Sequence, residues 1–477
     1  MAGLYIHIPF CESRCIYCGF YSTTSLKLRD DYTDALCREM QMRPAKAALG
    51  SNETIETIYL GGGTPSQLNG SQLNQIFSAI RKNYTLAENM EITMECNPDD
   101  VTGDFCETLK QLPVNRISMG AQTFSNERLR FLHRRHNARE VDEAITRLRN
   151  IGIRNISIDL MFGFPEESLF QWMNDIRHAI QLNVEHISAY SLMYEEGTPL
   201  YRLLEQEKIR EIDEETSRRM YETLIDLLTG AGYEHYEISN FARPGFRSRH
   251  NSSYWHEVPY IGIGAAAHSY NRKQRSWNIE NIQTYIRSIS EGILPSESEQ
   301  LDITTRYNDL ITTALRTSDG IDLMKMEQEF GKELADRLLQ EAQPHISRRL
   351  MKILYGYIAK KFWGPFVFII SIFAVLIFLG DSLEKIRWIN SYGTTLGLVL
   401  KYSFLTMPSW LVQILPVACL LSALFVISDM ITSGEWTACL AGGFSVRQIF
   451  KPLIACIFLV AMAGFCVQEF FVPDLSK

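Results

Sequence analysis

No histidine follows residue 345, and beyond residue 350 this chain of 477 residues carries only 9 of its 47 Lys and Arg and 6 of its 55 Asp and Glu. Charge is what the last quarter lacks. Residues 351–477 hold three wholly uncharged runs, at 362–380, 402–428 and 452–468. Runs of about 17 to 25 apolar residues match the hydrocarbon thickness of a bilayer. Three of them so close together leave too little polar surface for the buried helices of a soluble domain. They predict an all-α membrane segment with spans over about 362–380, 404–428 and 452–468.

The first 350 residues carry 38 basic and 49 acidic side chains, a net of −11, and no basic low-complexity arm. That balance argues against a nucleic-acid partner. A secretory signal is also missing at the N-terminus. Of ten cysteines, four lie in the apolar part, and Cys37, Cys96 and Cys106 show no framework spacing. A disulfide scaffold is therefore not expected, and residues 1–346 read as cytoplasmic.

The other three cysteines sit in Cys11-Glu-Ser-Arg-Cys15-Ile-Tyr-Cys18, directly after a strand-like stretch. Three thiolates on one tight loop can hold three irons of a cubane 4Fe-4S cluster and leave the fourth iron open. An open iron is what a substrate or S-adenosylmethionine needs to reach the cluster. A cluster serving only electron transfer would normally carry four cysteines, and a structural zinc site would want a closed fourth position. A zinc loop short of one ligand is the plainer alternative.

Strand patterns at 4–10, 56–62, 91–97, 114–122, 154–163 and 186–192 alternate with amphipathic stretches such as 71–82, 139–150 and 171–181. Six such units imply parallel strands with right-handed crossovers, in a doubly wound sheet or a partial barrel. The chemistry-bearing residues fall at the ends of several strands, which is the barrel habit. Gly61-Gly-Gly-Thr64-Pro follows the second strand, where backbone without side chains lets a ligand approach closely. Glu95 ends the third strand, Gln122 the fourth, Asp159 lies on the fifth, and Arg134 is placed on the helix after the fourth. Beyond about residue 200 the pattern loosens into helices around a short strand region at 233–241. Domains are thus expected at 1–200, 201–346 and 351–477.

The series Tyr5-Ile-His-Ile-Pro-Phe-Cys11 through Cys18, Gly61-Gly-Gly-Thr-Pro-Ser66, Ser118-Met-Gly-Ala-Gln-Thr-Phe124, Ile158-Asp-Leu-Met-Phe-Gly-Phe-Pro165 and Tyr236-Glu-Ile-Ser-Asn-Phe241 resembles radical S-adenosylmethionine proteins. The branch it resembles most is that of oxygen-independent coproporphyrinogen oxidase and the HemW heme chaperones, over residues 1–345. The resemblance implies an α/β fold, a partial (β/α)6 barrel with a helical accessory domain. It implies a 4Fe-4S cluster on Cys11, Cys15 and Cys18. It implies S-adenosylmethionine contacts from Tyr5, Tyr17, Gly62, Gly63, Thr64, Glu95, Gln122, Arg134 and Asp159.

Two details lean toward the chaperone branch. The oxidase adds a fourth cysteine two residues after the third, where this chain has Phe20. His250-Asn-Ser-Ser-Tyr-Trp255 resembles a signature associated with heme binding, which makes His250 the expected iron ligand. The resemblance implies heme as a bound group, a heme acceptor protein and a reducing electron donor as partners. Porphyrin biosynthesis by coproporphyrinogen III oxidation is the alternative, so an enzymatic role stays open.

From Met351 the chain resembles the start of an LptF/LptG-type lipopolysaccharide export permease. Met351-Lys-Ile-Leu-Tyr-Gly-Tyr-Ile-Ala-Lys-Lys-Phe362, Leu415-Pro416 and the stretch from Ser433 to Ser445 carry that likeness. The last stretch resembles a coupling helix for an ATPase, with Glu435 at its acidic position. Arg348, Arg349, Lys352, Lys360 and Lys361 before the first span place that side in the cytosol and the tail in the inner membrane. A start-like Met351 suggests two adjacent coding regions joined. A fusion that tethers heme delivery to the membrane is the other reading, and lipid export through the tail a third function.

Overall fold

In the computed structural model, residues 2–50, 53–386, 393, 395–433, 435–436, 439 and 445–471 are described. They divide into two compact units, residues 1–330 and 331–477.

In the first unit, β1 (Ala2–Ile8), β2 (Ile55–Gly62), β3 (Leu86–Cys96), β4 (Arg116–Gln122), β5 (Asn155–Phe162) and β6 (His186–Ser191) lie side by side in chain order, all parallel. Alternation along each strand sorts the side chains onto two faces. Leu4, Ile6 and Ile8 of β1, Ile58 and Leu60 of β2, and Ile117 and Met119 of β4 are almost fully buried in the main apolar core with helix residues such as Leu36, Leu73 and Ile76. The intervening residues, among them Tyr5, His7, Tyr59, Glu95, Arg116 and Asp159, share the other face. That interior is polar.

Three crossover helices start where a side chain can close the first turn. Asn69 with Gln72, Asn137 with Glu140, and Ser168 with Gln171 each form a reciprocal capping box. Each cap contributes about 1 kcal/mol and fixes where the loop at the strand end must stop.

The region after residue 200 does more than append helices. It adds β7 (Glu234–Glu237) and β8 (Asn240–Ala242) antiparallel beyond β6, and β9 (Tyr260–Ile263) parallel beside β1. Then β10 (His268–Tyr270), β11 (Gln274–Asn278) and β12 (Ser296–Gln300) complete a twelve-stranded sheet. Only the β7–β8 region was expected from sequence. The others are three to five residues long, with only Ile261 and Ile263 of β9 reaching the core and β12 exposed throughout, so periodicity is too short to announce them.

In the second unit, helices Lys332–Lys385, Leu396–Thr432 and Val446–Cys466 pack through Ile358 and Phe362, Ala418 and Val426, and Leu453 and Cys456. The apolar stretches Leu354–Lys385, Leu396–Thr432 and Val446–Glu469 are each long and apolar enough to cross a membrane. They contain the three expected spans. Phe368, Leu376, Phe404, Phe425 and Phe458 stay exposed on their outer faces, as lipid-facing residues do. Much of the coupling-like stretch 433–445 lies outside the described residues. Glu435 is described, and its carboxylate accepts from Lys361 Nζ at 2.6 Å and Tyr357 Oη at 2.7 Å.

Candidate cofactor-binding site

The loop leaving β1 carries Cys11, Cys15 and Cys18, all partly exposed thiols free of disulfides. Backbone bonds from Cys11 to Thr23 (3.0 Å), Thr23 to Pro9 (2.7 Å) and Cys18 to Cys15 (3.3 Å) fold it tightly. Ile16 anchors it, burying its side chain among Leu132, Phe164 and Leu200, while Glu12, Ser13 and Arg14 face outward. Burial pushes the Cys11 and Cys18 thiols up, and the neighbouring Cys15 sulfur adds to both. Among the described residues no three His, Cys, Asp or Glu side chains gather as a single metal ion requires. A cubane spreads its thiolates farther apart than one ion does, and an all-sulfur donor set suits iron–sulfur chemistry.

The end of β2 runs directly against this loop. Gly63 N donates to Ile8 O and Thr64 N to Phe10 O, both at 2.8 Å, and the Thr64 hydroxyl donates to Cys11 Sγ at 3.6 Å. A Cβ on Gly63 would stand 2.7 Å from Ile8 O, and one on Gly62 would stand 2.3 Å from the His7 ring. Gly62 also holds φ at +108°, which side chains disfavour. Glycine is required at both positions.

Glu95 is tied to the same corner. Its carboxylate accepts from Tyr59 Oη at 2.7 Å and from Gly62 N at 3.0 Å. Burial pushes its carboxyl up to about 7, with the Tyr59 bond opposing the rise. Asp159 is likewise raised by burial, to about 6, against a bond from Ser188. Both stay partly accessible. A raised carboxyl means that the empty fold favours the neutral acid, so Glu95 contributes stability that is lost as pH climbs through 7. Glu95→Gln should therefore lift the ligand-free melting temperature at pH 8 and hardly alter it at pH 5. A variant that melts lower at pH 8 contradicts this.

Gln122 closes β4 at φ +65° and is nearly buried. Arg134 departs from expectation. The helix Asn126–Phe131 ends before it, because His133 turns left-handed at φ +59°, and Arg134 lies in the following loop. From there it donates to Cys15 Sγ at 3.5 Å, Asn97 Oδ1 at 2.7 Å and Gly120 O at 2.5 Å. Tyr17 is raised by burial and shares this neighbourhood with Arg134 and Cys15. Tyr5 reaches inward on β1, its hydroxyl 3.0 Å from His7 Nδ1. Sequence reasoning passed over Asn97, Tyr59 and His7, which hold Arg134, Glu95 and the Gly62 corner. Their place on the inward alternation was the available signal.

His250 is not with this group as an open ligand. It is 1 % exposed, with Nδ1 2.9 Å from Thr57 Oγ1 and Nε2 3.0 Å from Tyr254 Oη. Its ring stacks on Tyr59, with centroids 5.1 Å apart. Burial lowers its pKa to about 3, so it stays neutral. In this arrangement both ring nitrogens are engaged by hydroxyls, so an iron bond at His250 would require one of them to be released.

Among solved structures, coproporphyrinogen III oxidase (HemN) from Escherichia coli, described as a radical SAM enzyme, superposes with a TM-score of 0.63 at 23% identity, over 73% of this chain and 83% of that one. That likeness establishes the fold. The Radical SAM superfamily model matches residues 5–179. The heme chaperone HemW of Bacillus subtilis is 35% identical over 338 residues, which is 70% of this chain and 88% of the relative. The chain belongs to the HemW heme chaperone family. The HemW of Mycobacterium tuberculosis is 33% identical over 71% of this chain and 88% of its own length, and that of Escherichia coli 39% identical over 56% and 69%. These HemW relatives match at most 71% of this chain. Residues 356–477 match the lipopolysaccharide export system permease LptF/LptG family, so the radical SAM part and a permease-like part share one chain.

Proposed function

We propose that the first unit is a heme chaperone: it holds a 4Fe-4S cluster on Cys11, Cys15 and Cys18, binds S-adenosylmethionine at the adjoining strand ends, and hands heme to an acceptor protein. The observation that carries this reading is the corner where the three-cysteine loop, Gly62 to Thr64 and Glu95 meet. Gly62 and Gly63 let a nucleoside lie against backbone, and Glu95 and Asp159 supply carboxylates for its hydroxyl and amino groups. Arg134 sets a positive charge beside Cys15. When bound, the cluster supplies an electron to the sulfonium; the chain's part is to orient that ligand and keep competing groups away. Residues 331–477 are read as an inner-membrane anchor, with Glu435 as the ATPase-facing candidate.

Phe20, 70% exposed where the oxidase branch carries its extra cysteine, supports chaperone over oxidase. Heme is the cargo in this reading, and His250 is assigned no bond to its iron. The reconstituted full chain in detergent should give a saturable Soret band with heme and leave coproporphyrinogen III unchanged under reducing conditions with S-adenosylmethionine. Conversion of that porphyrinogen would make the protein an oxidase. His250→Ala should cost about 2–4 kcal/mol of stability, from the cavity and the lost bonds, and leave heme affinity intact. A folded variant without the Soret band would return His250 to the heme site.

A further inference from the structure

The polar interior of the barrel contains a charge that the protein leaves unpaired. Arg116 opens β4 and is 1 % exposed, yet its Nε, Nη1 and Nη2 have no hydrogen-bond partner among the described residues. Burying a guanidinium unpaired is costly, and arginine cannot relieve the cost by losing its proton. Thr93 faces it across the β3–β4 register, and the Thr93 hydroxyl is buried and unpartnered as well. Such a pair of orphaned groups has a use beyond packing.

Register shows what lies above. On β4 the next inward residues are Ser118, which pairs with Glu95, and Gly120, which pairs with Asp159. Only a serine and a glycine therefore separate Arg116 from the two carboxylates along its own strand. The Arg116 charge lowers the carboxyls of both Glu95 and Asp159.

Below Arg116, the buried Glu91 carboxylate on β3 accepts from Arg249 N and His250 N, and Tyr236 is raised by burial. His186 is bonded between Ser157 Oγ and Tyr236 Oη, each at 2.7 Å, and burial holds both it and His250 neutral. His7 is lowered by burial to about 4. Tyr5, Tyr59, Tyr190 and Tyr254 are all raised by burial and stay protonated, as does Cys96. Arg134 also acts on Asp159, but from its place beside Cys15.

We propose that Arg116 is a positioning residue, a fixed interior counter-charge to the Glu95 and Asp159 side chains that readies the barrel mouth for a cationic nucleoside. The inference rests on the reading that S-adenosylmethionine binds there. It adds what sets the pH range of that binding. With Arg116 in place, Glu95 and Asp159 give up their protons near neutral pH despite their burial. Without it, burial wins and both acids hold their protons to higher pH.

The test is equilibrium dialysis of S-adenosylmethionine against the reconstituted full chain in detergent, from pH 5.5 to 8.5. Affinity should fall toward the acid side. In Arg116→Met that limb should move about one pH unit upward, weakening binding about tenfold at pH 6.5, while Arg116→Lys should keep the limb near its native position. A uniform loss across the pH range in Arg116→Met would mark a merely structural role and overturn the proposal. So would an Arg116→Lys limb displaced as far as that of the methionine variant. Glu95→Gln combined with Asp159→Asn decides the matter even if Arg116→Met fails to fold: the acid limb should vanish, and its persistence would overturn the proposal. Wild-type protein that binds no S-adenosylmethionine at any pH would instead overturn the underlying reading of the mouth.

Discussion

Cys15→Ala will abolish iron uptake. After anaerobic reconstitution the native chain should carry about four irons and a broad iron–sulfur absorbance, and the variant should carry nearly none. Cys15 is the middle ligand of the set, and its sulfur lies 3.5 Å from Arg134 Nη1. The variant therefore loses a coordination bond together with the sulfur that accepts from Arg134. The two remaining thiols are raised by burial and do not ionise readily alone. Iron and sulfide assays on both proteins check this. One zinc and no iron in the native chain would overturn the cluster reading.

Gly62→Ala will cost about 2–6 kcal/mol, combining strain from positive φ with overpacking. The new Cβ would stand 2.3 Å from a His7 ring already held by Tyr5 Oη at 3.0 Å and Tyr21 O at 3.1 Å. The ring cannot move without breaking those contacts. The same shift would draw Gly62 N away from Glu95 Oε2. Thermal melting should therefore fall by roughly 10 °C, and S-adenosylmethionine affinity should fall with it. An unchanged melting temperature would mean that the β2 corner is softer than its contacts imply. Gly152→Ala serves as the control: Gly152 also has positive φ, at +94°, but a Cβ there meets nothing within 4 Å.

Local pattern carried much of the fold. The six parallel strands were legible because each alternates a helix-facing apolar residue with an inward one, as Leu4, Ile6 and Ile8 do around Tyr5 and His7. The crossover helices were legible from amphipathic spacing and from capping pairs such as Ser168 and Gln171. Strands β9 to β12 were not, since segments of three to five residues are too short for periodicity to show and are held in place by neighbouring strands. Arg134 was misplaced onto a helix because a left-handed histidine is not a common stop signal.

By itself the sequence determined the three-cysteine loop, the strand–helix order and the charge-free runs of the tail. All of these are set by residues near one another in the chain, where spacing and hydropathy act directly. Tertiary structure decided which inward groups meet. Gly62 and Glu95 bond across 33 residues and Thr57 and His250 across 193. Such pairings follow from strand register, which no local pattern encodes. Register tied the nitrogens of His250 to the hydroxyls of Thr57 and Tyr254. It also set Arg116 on the inward face of β4, beneath Glu95 and Asp159.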